Sequence, residues 1–151
     1  MINKRPVVIP AAVFLSCGEP SLIAAVGTDI LATERIERAL TSPAFIRFTF
    51  TAREIAEAAA RSSPVLYFSC LFAAKEAVFK TLHMHGDDLK HWNCIEILAA
   101  DSPEPQVYLY RKAAEAAHRR NLVITYLSLC CRHEYVQAFA VAEGDANHVC
   151  Y

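Results

Sequence analysis

Two acids and a lysine in this chain have the types and spacing of a site that handles phosphates. In the stretch FAAKEAVFK (72–80), Glu76 and Lys80 stand four residues apart and are neighbours on one helix face. Phe72 lies four before Glu76 and Phe79 three after it, so the acid sits at the border of an apolar stripe. Upstream, VGTDI (26–30) sets Asp29 just after a strand, between Val26 and Ile30 and two residues past Gly27. Taken singly, neither acid is informative. A surface Glu–Lys pair contributes about 0.2–0.5 kcal/mol and is common, and an acid after a strand ordinarily caps the next helix. Together they have the character of a hard-oxygen site, because magnesium is held by one or two carboxylates plus phosphate oxygens and water. A lysine beside them serves as a point charge for phosphate. Asp29, Glu76 and Lys80 thus have the chemistry to handle a pyrophosphate.

The whole chain sets the limits within which such a site could exist. Its 151 residues fit one domain with a real core. A net charge of -1 argues against a nucleic-acid partner or a membrane surface. No segment carries the ~20 unbroken apolar residues of a membrane span. The six cysteines form no CxxC pair and lie mostly in apolar runs. We therefore expect small buried hydrophobes in a reducing, cytoplasmic compartment, with no disulfide framework and with Cys131 a packed, unreactive thiol. The opening MINKRPVVIPAAVFLSCG loosely imitates an export signal, but Pro10 interrupts its apolar run. We read residues 1–21 as an extension carrying an added strand (VVI, AVFL), ahead of one domain over 22–151.

The elements that must position the site follow from periodicity and punctuation. SLIAAVGTDI (21–30) reads as a strand ending at Gly27, and from Asp29 the residues Ile30, Ala32, Ile36 and Leu40 have helical spacing until Thr41-Ser42-Pro43 stops them. Thr51 followed by Glu54 has the form of a capping box opening a second helix. Pro64 opens a long helix that Gly86 closes. CIEIL, QVYLY, LVITYLSLCC and YVQAFAVAE read as strands, with the short helix RKAAEAAHRR after the second. The expected fold is α+β: an antiparallel sheet packed with a long central helix and shorter helices.

In this order the segments GTDI (27–30), FTARE (50–54), FAAKEAVFK (72–80), Trp92 with IEI (95–97) and LSLCCRHEYVQAFAVAE (127–143) resemble the 4'-phosphopantetheinyl transferase superfamily, specifically its short holo-acyl-carrier-protein synthase branch. The resemblance spans roughly residues 22–143. It implies an enzyme that moves the phosphopantetheine arm of coenzyme A onto a serine of an acyl carrier protein, releasing 3',5'-ADP. By the family's motif, Asp29 and Glu76 would hold Mg2+, and Lys80 would contact the phosphates, with Lys75 and Ser128 also binding coenzyme A. Catalysis would fall to Glu76 and Lys80, and either Glu76 or a metal-held water would take the serine proton. The resemblance further implies a homotrimer with shared active sites, and an acidic carrier docking on Arg35 and Arg38.

Four positions depart from the family pattern. Leu71 stands where an arginine is usual, Cys131 where a histidine is, Glu104 where a lysine is, and Ala32 where an acid is. Each lost charge-assisted hydrogen bond would weaken nucleotide binding by about 1.5–3 kcal/mol. These departures favour a rival reading, a non-catalytic relative that binds a carrier protein or a paralogous subunit; Asp29, Glu76 and Lys80 oppose it.

Overall fold

The computed structural model describes residues 7–9, 21–86, 92–99 and 104–145. Its elements are β1 (Val7–Ile9), β2 (Ser21–Ala32), α1 (Thr33–Ala39), α2 (Pro43–Thr49), α3 (Ala52–Ala59), α4 (Pro64–Thr81), a 3-10 turn (Trp92–Cys94), β3 (Ile95–Leu98), β4 (Gln106–Leu109), α5 (Arg111–Arg119), β5 (Val123–Cys131) and β6 (Tyr135–Asp145). The strands form two antiparallel sheets, ordered β2-β6-β5 and β1-β4-β3. The expected α+β class holds, with two small sheets in place of one. The anticipated N-terminal strand VVI is β1, paired with β4; the AVFL piece lies outside the described residues.

Helix α4 is the central element. Ten of its residues are buried, among them Leu71, Phe72, Ala73, Ala74, Ala77 and Val78, because it packs against β2 and β6 on one side and α1, α3 and β3 on others. A helix that is apolar nearly all round has to be covered nearly all round. Beside it, Phe45, Phe50, Phe68, Phe72, Phe79 and Trp92 form a chain of ring contacts between α2, α4 and the 3-10 turn. Leu71, the residue in place of the expected arginine, is 1% exposed and belongs to this core.

Local signals place the shorter helices. Pro43 occupies the first turn of α2, and the Ser42 hydroxyl accepts from the Phe45 N–H at 3.4 Å. The sequence reading took Thr41-Ser42-Pro43 only as a stop; it is also a start. Before α3 the capping box forms as anticipated: Thr51 N–H donates to Glu54 Oε2 at 2.8 Å, and Glu54 N–H to Thr51 Oγ1 at 3.2 Å. Helix α4 starts at Pro64 but ends at Thr81, short of Gly86, with His83 in the left-handed region beyond it.

Two expectations are corrected here. The helix anticipated from Asp29 begins only at Thr33, because β2 stays paired with β6 through Ala32, opposite Tyr135. Strand alternation governs that stretch: Gly27, Asp29 and Leu31 face α4, while Val26, Thr28 and Ile30 face away. Cys131 is not a free thiol but is disulfide-bonded to Cys70 of α4, their Cα atoms 6.5 Å apart. It shares the inner face of β5 with Leu127 and Leu129, which aims it at the helix.

Candidate active site

Gly27 determines how closely β2 and α4 approach. A Cβ at that position would run into the Ala77 carbonyl oxygen and lie 3.0 Å from its carbonyl carbon and 3.1 Å from Thr81 Cγ2. Only a residue without a side chain lets the helix backbone rest on the strand there. The next inward residue on the strand is Asp29, and the helix residues flanking Ala77 in sequence are Glu76 and Val78. The contact at Gly27 therefore sets the spacing between the strand acid and the helix acid.

Asp29 and Lys80, distant in sequence, meet directly. Lys80 Nζ donates to Asp29 Oδ1 at 2.9 Å and to the Thr28 carbonyl at 2.6 Å. The pair is partly open, with Asp29 17% and Lys80 46% exposed, so solvent reaches the ammonium. Glu76, one turn before Lys80, is half-buried. Its pKa is raised above the ordinary carboxylate range, first by burial and then by repulsion from Asp29, against the pull of Lys80 and Arg35. Glu76 makes no hydrogen bond to a described residue. Two neighbouring carboxylates that repel each other, one of them without a donor among the described residues, suit a divalent cation chemically. Among the described residues no group of three or more His, Cys, Asp or Glu converges as a metal cage, so any ion here would rest on two carboxylates and on oxygens from a ligand or water.

The structure separates the other candidate residues from this cluster. Lys75 is one position from Glu76, about 100° round the helix, and that turn buries it completely. Its ammonium pairs with Glu54 Oε1 at 3.0 Å and donates to the carbonyls of Trp92, at 3.4 Å, and Ile95. Glu54 also accepts from Ile97 N–H at 2.8 Å. Burial lowers the Lys75 pKa and raises that of Glu54, each partly offset by the other's charge. The expectation that Lys75 binds coenzyme A is therefore corrected: with no exposed surface, its ammonium ties α4 to the start of α3 and to β3. Ser128 sits on the outward face of β5 opposite Phe139, the face turned away from α4, so within one protomer it does not adjoin Asp29.

Arg35, on the first turn of α1, lies near enough to Glu76 to lower its pKa, a neighbour that sequence spacing did not give. The sequence offered it only as a docking residue; the turn from β2 directly into α1 puts it at the same end of the fold as Glu76. Arg38 pairs with Glu34 at 3.9 Å on the exposed side of the same helix. A second buried polar cluster, Glu96 accepting from Thr51, Arg53 and Tyr110, joins α3 to β3 and lies apart from the site.

Comparison with known proteins identifies the family. The model of the 4'-phosphopantetheinyl transferase superfamily matches residues 25–140, a span that contains Asp29, Glu76 and Lys80. The holo-[acyl-carrier-protein] synthase of Moorella thermoacetica is 34% identical over 120 residues, covering 79% of this chain and 93% of its own. That of Rhodopirellula baltica is 37% identical over 109 residues, covering 71% and 86%. Among solved structures, an acyl carrier protein synthase of Plasmodium yoelii with ADP bound has 32% identity and a TM-score of 0.73, covering 83% of this chain and 98% of that one. The Neisseria meningitidis holo-[acyl-carrier-protein] synthase has 28% identity and a TM-score of 0.68. A matched span this long, joined to relatives aligned over nearly their whole length, establishes that this chain belongs to the 4'-phosphopantetheinyl transferase superfamily.

Proposed function

We propose that this protein is a holo-acyl-carrier-protein synthase that transfers the 4'-phosphopantetheine arm of coenzyme A to a serine of an acyl carrier protein and releases 3',5'-ADP. The observation that carries the reading is the meeting of Asp29, Glu76 and Lys80 at the β2–α4 junction, in a chain whose relatives bear that name. In this reading Asp29 and Glu76 hold Mg2+, whose charge, when it is bound, neutralises the pyrophosphate and eases departure of the nucleotide. Lys80 leaves its bond to Asp29 to contact the phosphates as a point charge. The carrier serine oxygen attacks the β-phosphorus, the bond from that phosphorus to the bridging oxygen breaks, and the electron pair leaves with 3',5'-ADP. Either Glu76 or a water held at the site takes the serine proton.

The assembly belongs to the same proposal. The outward face of the β2-β6-β5 sheet exposes the large apolar side chains of Ile30 (66%), Tyr126, Tyr135 and Phe139 (40%), the kind of surface that marks an interface. We assign it to the junctions of a homotrimer, and Ser128 on that face to a neighbouring protomer's nucleotide site. Arg35, beside the acids, and Arg38 are assigned to the acidic carrier. Residues 1–21 form an extension before the transferase domain of 22–151, and β1 on β4 supports its role as an added strand. The protein acts in the cytoplasm, where coenzyme A is available; among the described residues no helix is long and apolar enough to cross a membrane.

The test mixes the protein with coenzyme A, Mg2+ and apo carrier proteins and reads the mass gain of the arm on the carrier. Transfer is expected, and Asp29→Ala or Glu76→Ala abolishes it with the circular dichroism spectrum unchanged. Full activity in either variant would remove the assigned roles. Carrier binding with no coenzyme A affinity would select the non-catalytic rival.

A further inference from the structure

The bond between Cys70 and Cys131 links the helix that carries Glu76 and Lys80 to the last residue of β5, across a sequence separation of 61. A Cα separation of 6.5 Å is within the range a disulfide spans. The two sides are unequally exposed. Cys70 is 5% exposed inside the core, whereas Cys131 is exposed at the strand end, next to Arg132. Exposed bridges are the labile and regulatory ones, while enclosed bridges resist exchange. In a compartment buffered by small thiols, such a bridge forms and opens by exchange.

We propose that Cys70 and Cys131 are a thiol–disulfide exchange site for small-molecule disulfides, and that its oxidation clamps α4 onto β5. The Cys131 thiolate attacks a small disulfide, forming a mixed disulfide and expelling one small thiolate. The Cys70 thiolate then attacks the Cys131 sulfur, closing the protein bridge and expelling the second small thiolate. Two protein thiols are oxidised, one small disulfide is reduced to two thiols, and the two protons go to those thiolates and to solvent. Excess small thiol runs the sequence backwards, entering at exposed Cys131. Cys130, the next residue back, is a free and exposed thiol on the opposite face of the strand; strand alternation turns it away from Cys70 and makes it an internal control. Buried Cys94 is likewise free.

The full-length protein is equilibrated in buffers of graded reduced-to-oxidised glutathione ratio, quenched by alkylation, and analysed by peptide mapping and thermal denaturation. The expected result is a peptide pair joining Cys70 to Cys131 that appears with oxidation and disappears with excess reduced glutathione in the folded protein. The bridged form melts roughly 10 °C higher, as expected for a cross-link closing a loop of this length in a domain of this size. Cys70→Ser and Cys131→Ser each abolish the redox-dependent shift, while Cys130→Ser keeps it. Cys70→Ala stands in for Cys70→Ser where a buried hydroxyl prevents folding. The proposal fails if no ratio yields this pair, if Cys130 replaces Cys131 in it, if the shift survives Cys70→Ala, or if the bridge opens only on unfolding.

Discussion

Replacing Gly27 with alanine adds one methyl group at the contact that brings the two acids together. The new Cβ would collide with the Ala77 carbonyl oxygen, with Ala77 C at 3.0 Å and Thr81 Cγ2 at 3.1 Å. Ordinary carbon–oxygen contacts lie near ~3.3 Å, so the helix backbone must withdraw by about 1 Å. A carbonyl in the middle of a helix cannot swing aside as a side-chain tip can, and α4 moves as a body against a close-packed core. Overpacking of this kind lowers stability by about 1–3 kcal/mol, or roughly 3–10 °C in Tm for a domain of this size. The same displacement carries Glu76 and Lys80 away from Asp29, and a misplacement of about 1 Å at a reacting centre reduces rate on the order of a hundredfold. The other described glycines provide a graded comparison. A Cβ at Gly144 meets Ala24 Cβ at 3.1 Å, Leu122 Cδ2 at 3.3 Å and the Asn121 carbonyl at 3.4 Å, and one at Gly86 meets nothing within 4 Å. Melting curves and single-turnover transfer rates on the three alanine variants should therefore fall in the order Gly86, Gly144, Gly27, with only Gly27→Ala losing rate per folded molecule. Wild-type Tm and rate in Gly27→Ala, or an equal loss in Gly86→Ala, would refute the reasoning.

Further outcomes follow from the same structure. Lys75→Met leaves Glu54 charged in a dry interior and should cost about 3–5 kcal/mol, read as a lower urea midpoint; adding Glu54→Gln should restore much of it, and additive losses would show that the pair is not coupled. Tyr67, donating to Glu57, and Tyr110, donating to Glu96, have pKa values pushed up to about 12, mainly by burial, from the ordinary phenol value of 10.0. Because the folded values are the higher, stability is fully present below pH 10 and is lost as pH rises toward 12. Tyr67→Phe combined with Tyr110→Phe should flatten that alkaline decline, and an unchanged decline would count against it. Ile30→Glu or Phe139→Glu on the outward sheet face should dissociate the proposed trimer in sedimentation velocity, while Glu37→Ala on exposed α1 should leave it intact.

Much of the fold was legible because its signals are local. Pro64 at the start of α4, the Thr51–Glu54 box and the strand segments CIEIL and QVYLY each declare an element through a few neighbouring residues. The stretch 29–32 failed for a definite reason. Ile30, Ala32, Ile36 and Leu40 match a helical period, but Ile30 is apolar for a surface outside the protomer core, and β6 offers a partner up to Ala32. Pairing with a strand more than a hundred residues away outweighed local spacing. Lys75 was misread similarly: in sequence it is one of three charges in an apolar run, and nothing nearby announces that Glu54 meets it.

Residue types and spacing alone determined that this chain carries two acids and a lysine suited to phosphate, in an order matching a known transferase superfamily, on an α+β scaffold. Only the tertiary structure decided which charges belong together: Lys80 with Asp29, Lys75 with Glu54, and Cys70 with Cys131. Covalent order can hold residues on one face of one element. The meeting of a strand with a helix some fifty residues later depends on how closely their backbones can pack, and here that distance is set by the missing side chain of Gly27.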